Sequence, residues 1–311
     1  MTDTKRRHRA FRSRRSLIFY ICFLIWPIAQ FCVFYIGVNF NSFALAFKNI
    51  PDLLKPNEYT LTFDNFKNWF VSGSADADRL MRALKVSVKT YFITLLVSVP
   101  LGLFFSYYIF KKLPGAMTFR VMLFMPSIIP SIVLVTVFIY FTDFVLPDLS
   151  LKWFNVSVNE TLLSSTKTRY GTVMFYNIFV GFGTTVLLYS NKMASISPEV
   201  IEAAELDGAN TAQEFFRIVL PQTFSTVSIF LVTGVTSIFT NEINNFSFFH
   251  YSMNPDTTTI GFLMYYKMQH AKKDVTQYPP IAALGLMCTA IAIPVTFFVR
   301  WLLDKFGPSE D

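Results

Sequence analysis

Five acidic residues are crowded into one short stretch of an otherwise apolar chain, between positions 191 and 221. They are Glu199, Glu202, Glu205, Asp207 and Glu214. Only Lys192 and Arg217 oppose them, so five acids against two bases leave a net charge of −3. Small residues lie among the acids at Ala203, Ala204, Gly208 and Ala209. This pattern suits a helix that docks into a cleft with basic walls, and a solvated surface helix is the alternative.

A second group of polar residues interrupts two long apolar segments. Asn177 and Gly181 are four residues apart and Thr184 follows within another turn, so the three share one face of a helix. The other segment ends with Ser237, Asn241, Glu242, Asn244 and Asn245. A hydroxylated ligand that crosses hydrocarbon needs donors and acceptors, and an Asn side chain offers both. The alternative is that these groups only cross-link neighbouring helices.

The residue types that usually carry catalysis form no such pattern. The histidines lie outside the apolar segments without HExxH spacing, at His8, His250 and His270. No GxxxxGK[ST] phosphate-binding loop occurs among the 12 glycines. Cys22, Cys32 and Cys288 lie inside apolar runs and predict packed thiols. We therefore predict no catalytic residue, no metal site and no cofactor bound by this chain, and a membrane-embedded enzyme is a minor alternative.

The composition indicates that lipid surrounds the elements carrying these residues. The chain is 53% hydrophobic and only 15% charged, whereas soluble domains have about 25% charged residues. Six uncharged segments are long enough to span hydrocarbon as helices. They are 16–37, 91–110, 121–141, 172–190, 222–241 and 281–299. The sequence therefore predicts an all-α membrane protein with six transmembrane helices.

The distribution of basic residues predicts the orientation. Seven of the 27 basic residues lie between Lys5 and Arg15, directly before the first segment. Such a cluster is typical of a cytoplasmic flank and not of nucleic-acid binding. We therefore expect cytoplasmic tails at 1–15 and 303–311, an extracytoplasmic loop at 38–83, and a cytoplasmic position for the acidic stretch.

The acidic stretch also carries signals of helical structure. Ser197, Pro198 and Glu199 predict an N-cap, a first helical position and an acidic first turn. This helix is expected to end near Gly208. Thr211 and Glu214 then predict a capping box that opens a second helix leading towards Pro221.

One run of residues in this stretch resembles a known family. Glu202-Ala203-Ala204, Gly208, Ile218, Leu220 and Pro221 have the spacing of the EAA loop of ABC importer permeases, here 197–221. The resemblance extends over 84–302, where the order of the segments is similar to the maltose-type sugar permeases, in particular the larger partner of such pairs. The chain departs from that pattern at 250–256, where many sugar permeases have a Gly-rich stretch.

The resemblance implies a type I ABC importer permease fold with a cytoplasmic coupling helix, in a bacterial cell membrane. Its expected partners are a second permease, two ATPases that bind ATP and Mg, and an extracytoplasmic solute-binding protein. The implied coupling residues are Glu202, Ala203, Ala204, Asp207 and Gly208. The implied substrate path contains Asn177, Gly181, Thr184, Ser237, Asn241, Glu242 and Asn245. A carbohydrate is the expected cargo. One alternative is an ABC importer permease for another solute. The other is a secondary transporter, which would be expected to have more intramembrane charges than this chain.

Overall fold

The computed structural model of the protein describes residues 14–51, 58–71, 73–155, 157, 160–272 and 274–308. Of the predicted basic tail at 1–15, residues 1–13 lie outside the described part of the chain. The same is true of residues 309–311 in the predicted tail at 303–311. Among the described residues, six helices are long and apolar enough to cross a membrane, which confirms the predicted number.

The first unit contains the chain up to Lys67 together with Ala271–Leu286. Its first helix, α1, runs without interruption through Arg14–Gln30, a π-helical part Phe31–Gly37, and Val38–Ala46. Two short antiparallel strands follow, β1 (Lys48–Asn49) and β2 (Thr60–Leu61), with Lys48 opposite Leu61.

The side-chain amide of Asn65 holds this region together. Asn65 lies in the short helix α2 (Asp64–Lys67) and is buried. Its Nδ2 donates to the carbonyls of Ala46 at 2.9 Å and Lys48 at 2.8 Å, which satisfies two backbone acceptors where α1 ends and β1 begins. The predicted loop at 38–83 therefore begins later in the structure, because α1 continues for nine residues beyond position 37, through Val38–Ala46.

The second unit contains Asn68–His270 and the residues from Met287 onwards. Its early helices are α3 (Ala75–Phe110), α4 (Ala116–Ile128), α5 (Ser131–Tyr140, π-helical Phe141–Val145, Leu146–Phe154) and α6 (Arg169–Met193). Next come α7 (Pro198–Leu206) and α8 (Thr211–Glu214, π-helical Phe215–Val219, Leu220–Thr240). The chain continues with α9 (Asn245–Phe249), α10 (Ile260–Ala271), a 3₁₀ turn (Val275–Gln277) and α11 (Tyr278–Phe306).

Helix α6 is the centre of this unit, because it packs against α3, α4 and α8. Gly183 makes the contact with α4 possible, since a Cβ at this position would overlap the carbonyl of Leu123. The hydroxyl of Ser106 on α3 donates to the carbonyl of Val186 on α6 at 2.9 Å. Close approach of small residues and interhelical hydrogen bonds are the usual means of helix association in lipid.

The third predicted segment, 121–141, differs from the structure because two helices share it. Helix α4 ends at Ile128, Ile129 is extended with φ −86° and ψ 135°, and Pro130 is the N-cap of α5. The proline ring disfavours the helical conformation of the residue before it, which explains the break at Ile129. The long apolar helix at this point is Ser131–Phe154 instead, and α4 is a shorter apolar helix that precedes it in the chain.

Candidate functional site

The predicted docking helix begins and ends near the predicted residues. Ser197 is the extended N-cap of α7 and Pro198 its first residue. At the other end Gly208 has φ +81°. The Gly208 amide donates to the Glu205 carbonyl at 3.1 Å, and the Ala209 amide to the Ala204 carbonyl at 3.0 Å. This is the Schellman arrangement, which uses a glycine in the left-handed conformation to stop a helix.

The small residues of α7 are not equivalent. Ala204 is buried against its own chain, whereas Ala203 and Gly208 are exposed. The structure leaves open space around Gly208, so within this chain the glycine is required by its φ angle and not by a close contact. The predicted coupling residues Glu202 and Asp207 are exposed as well.

Sequence reasoning missed Leu206, which lies on the same exposed face of α7. Its exposure of 88% is the highest among the exposed large hydrophobic residues of the described chain. The signal was present in the spacing, because Leu206 follows Glu202 by four residues and Glu199 by seven. The exposed surface of α7 therefore combines carboxylates with the apolar side chain of Leu206, which is the composition of a small docking surface.

The predicted capping box after Gly208 is displaced by one residue. Asn210 is the N-cap: its Oδ1 accepts from the Gln213 amide at 2.9 Å, and Gln213 Oε1 accepts from the Asn210 amide at 2.9 Å. The prediction named Thr211 and Glu214 instead. Asn caps a helix at least as well as Thr, and the shift leaves Glu214 free to point inward, where it is only 3% exposed.

The second predicted group lies around the turn that follows α8. Asn177 Nδ2 donates to the carbonyls of Val173 at 2.8 Å and Ile243 at 3.0 Å. Its Oδ1 accepts from Asn244 Nδ2 at 2.8 Å. Ile243 and Asn244 both have positive φ, 47° and 57°. Asn177 therefore uses both amide donors to hold a strained turn of its own chain.

A cavity of about 120 Å³ lies between α3, α6 and α8. It is lined by Ser237 and Asn241 from the predicted path and by Thr185 and Tyr189 of α6. The Tyr189 side chain is fully buried, and its hydroxyl has no hydrogen-bond partner in the described part of the chain. A buried hydroxyl without a protein partner, beside a cavity that other hydroxyl groups line, is a position for water or ligand.

The hydroxyl groups that α3 contributes to this cavity were also missed. They are Ser87, Thr90, Tyr91, Thr94 and Ser98. The spacing of three, four, seven and eleven residues from Ser87 was a detectable signal of one polar face on an apolar helix. Asn241 Oδ1 accepts from the Ile243 amide at 2.8 Å, while its Nδ2 makes no hydrogen bond to any described residue.

The other predicted path residues do not line this cavity. Gly181 and Thr184 are exposed on α6, and Glu242 is half-buried. Asn245 is buried, and its Nδ2 donates to the Thr257 carbonyl at 2.7 Å. Within the described ranges, no three His, Cys, Asp or Glu side chains are placed to hold a metal ion.

Comparison with known proteins agrees with this architecture. Residues 98–309 match the family described as binding-protein-dependent transport system inner membrane component. The multiple sugar-binding transport system permease protein MsmF of Streptococcus mutans is 22% identical over 284 residues, covering 91% of this chain and 94% of MsmF. The probable ABC transporter permease YesP of Bacillus subtilis is 28% identical over 66% of this chain and 61% of YesP.

A solved structure shows the same fold. It is the crystal structure of a bacterial ABC transporter involved in the import of the acidic polysaccharide alginate. The matching chain is 19% identical, with a TM-score of 0.73, and the match covers 94% of this chain and 97% of that one. The family match spans more than half of the present chain and includes α6, α7 and α8, together with the part of α3 from residue 98 onwards. The chain therefore belongs to the family of binding-protein-dependent transport system inner membrane components, and it is a multi-pass protein of the cytoplasmic membrane.

Proposed function

We propose that this chain is the permease subunit of an ATP-driven importer that carries a carbohydrate, working with a second permease, two ATPases and a solute-binding protein. The main support for the proposal is the exposed surface of α7. This helix lies in the loop between two membrane helices and exposes Glu202, Asp207 and Leu206. The relatives support a carbohydrate as the cargo, because MsmF is named for sugar transport and the similar structure belongs to a transporter involved in alginate import.

In the proposed orientation both termini and α7 are in the cytoplasm. The carboxylates of α7 meet basic walls of a cleft on the ATPase, and Leu206 enters its apolar floor. Charge complementarity sets the register of such a contact, and the apolar side chain supplies most of its affinity. Closure of the ATPase dimer on ATP then moves α7, and the membrane helices rock as rigid bodies between outward-open and inward-open states.

The proposed partners occupy other surfaces of the chain. The apolar segment of α1 that is long enough to cross the membrane is not buried by the rest of the chain. In this proposal lipid or the second permease covers it. A solute-binding protein is supported by a second solved structure of the alginate transporter, described as a complex with an alginate pentasaccharide-bound periplasmic protein. ATP and Mg belong to the ATPases in this proposal.

The proposed substrate path runs along the cavity of α3, α6 and α8, with Ser237 and Asn241 as contacts. A volume of 120 Å³ is below the roughly 300 Å³ of ordinary ligand pockets, so the helices must separate before a sugar can enter. Gly181 and Thr184 lie on the exposed face of α6, which the second permease would complete. Asn177 and Asn245 support the path indirectly, because their hydrogen bonds hold the segments that follow α8. We place Glu242 at the outer end of the path.

The experiment that tests the function is ATP-dependent uptake into proteoliposomes containing the complex with its solute-binding protein. Labelled neutral oligosaccharides, acidic oligosaccharides, amino acids and peptides are offered separately. The proposal predicts uptake of a carbohydrate, dependent on ATP inside the compartment that α7 faces. Uptake of an amino acid or peptide alone would contradict the cargo, and uptake without ATP would contradict the mechanism.

A further inference from the structure

A buried carboxylate lies beneath the loop that joins α6 to α8. The side chain of Glu214 is only 4% exposed, and its Oε2 is 3.1 Å from Nζ of Lys111. Its Oε1 accepts a hydrogen bond of 3.0 Å from the Tyr107 hydroxyl. Tyr107 lies in the last turn of α3 and Lys111 is its C-cap. A carboxylate this deep is stable only when it is both ion-paired and hydrogen-bonded.

Lys111 also reaches the docking helix. Its Nζ is 3.0 Å from Oε1 of Glu205 in α7, whose side chain is 57% exposed. One ammonium group thus connects the end of α3 to both helices of the loop. Burial lowers the pKa of Lys111, but the hydrogen bonds and charges of Glu205 and Glu214 outweigh it, so the pKa is raised above its usual value. The group therefore stays charged throughout the physiological range.

Aromatic packing encloses the ion pair. The ring of Phe215, next to Glu214, stacks on Phe104 at 5.4 Å between centroids and meets the edge of Tyr107 at 5.0 Å. Leu103 of α3 and Met193 of α6 belong to the same buried cluster. Such surroundings exclude water and strengthen electrostatic contacts, and they make it costly to leave one charge unpaired.

We propose that these four residues, Lys111, Glu205, Glu214 and Tyr107, form a clamp that couples movement of α7 to α3. The proposal rests on the proposed function of α7. Helix α8 follows the loop directly in the chain, whereas α3 contacts the loop through the clamp and the aromatic packing. Since α3 and α8 both line the cavity, a movement of α7 then reaches two of its walls together. Lys111 and Glu214 are positioning residues, because they act through α7 and touch neither cargo nor nucleotide.

The test compares uptake, ATP hydrolysis and thermal stability of the reconstituted complex for wild type and four variants. Lys111→Met should lower uptake about tenfold, the range in which coupling residues act, and hydrolysis should no longer respond to the loaded solute-binding protein. Lys111→Arg should restore most uptake because it keeps the charge and reach. Glu205→Gln removes the contact of the clamp with α7 and should also lower uptake, but less than Lys111→Met, because this ion pair is more exposed than the one with Glu214.

The double variant Lys111→Met/Glu214→Gln separates coupling from folding. It removes both charges, so no unpaired charge remains buried and thermal stability should recover relative to Lys111→Met. The clamp predicts that uptake stays low while stability recovers. Recovery of uptake together with stability would overturn the proposal and reduce the four residues to a packing role, and so would normal uptake by Lys111→Met. A wild-type complex without ATP-driven uptake would overturn the proposed function itself, and the clamp with it.

Discussion

At the scale of single residues, the backbone conformation of Gly208 determines which residues can replace it. With φ +81° and open space around it, the position tolerates Asn, which adopts the left-handed conformation more readily than other residues, but not a β-branched residue. We expect Gly208→Asn to keep at least half of wild-type uptake and Gly208→Val to lose most of it, with weaker co-purification of the ATPase. If Asn were as harmful as Val, close approach of the ATPase backbone would be the reason for the glycine instead of its φ angle.

The two asparagines of the predicted path should respond differently to substitution. Asn177 makes three hydrogen bonds within the chain, so Asn177→Ala should lower the melting temperature of the purified complex because buried acceptors lose their donors. Asn241→Ala should instead lower the apparent affinity of uptake up to about tenfold, the effect of one lost hydrogen bond to cargo, with a smaller change in melting temperature. Equal stability losses with unchanged uptake would show that Asn241 is also structural.

Residue spacing in the sequence was sufficient to predict Ser197, Pro198 and Gly208 as the ends of α7. The capping box was misplaced by one residue because Asn210 and Thr211 are both competent N-caps, and only the tertiary contacts of Glu214 with Lys111 and Tyr107 select the first. The hydrogen bonds of Asn177 were not predictable, since they depend on a turn with positive φ 66 residues later.

At the scale of helices, apolar length was enough to predict the number of long helices but not their breaks. A run without charge does not reveal that Pro130 separates α4 from α5, because prolines are also tolerated inside membrane helices. Pro100 and Pro294 lie within α3 and α11 and do not end them. At Pro130 the break lies in the preceding residue, because Ile129 is extended with φ −86° and ψ 135°.

The polar face of α3 leads to a prediction about the cavity wall. Ser98→Leu should fill part of the 120 Å³ cavity and lower uptake about tenfold or more, because overpacking hinders the movement of the wall. Leu96→Phe is the matched control, since Leu96 is 68% exposed and outside the cavity. Uptake should be unchanged in the control. Equal uptake by both variants would exclude this cavity from the path.

At the scale of the whole molecule, the family match and the similar fold do not determine which side of the membrane each loop faces. The basic cluster predicts a cytoplasmic N-terminus, with Ala212 inside and Ser157 outside. In a background without Cys22, Cys32 and Cys288, Ser157→Cys should react with an impermeant maleimide in intact cells. Ala212→Cys should react only after the membrane is opened. Labelling of Ala212→Cys in intact cells would reverse the orientation.

The cavity itself was beyond sequence reasoning, because α3, α6 and α8 are distant in the chain and meet only in the folded molecule. The sequence could mark Ser237 and Asn241 as polar positions on an apolar helix. It could not show that the hydroxyls of α3 face them, since that depends on the rotation of each helix about its axis.

The docking role of α7 can be tested by identifying the molecule that contacts Leu206. A photoreactive benzophenone amino acid is placed at Leu206 in the intact complex. The same probe at exposed Phe154, the last residue of α5, is the matched control. After illumination, mass spectrometry identifies the cross-linked peptide. We expect a peptide from an ABC ATPase at Leu206 and none at Phe154, and Glu202→Lys should weaken the cross-link. A Leu206 probe that reacts only with lipid, or with a protein other than an ATPase, would contradict the docking role of α7.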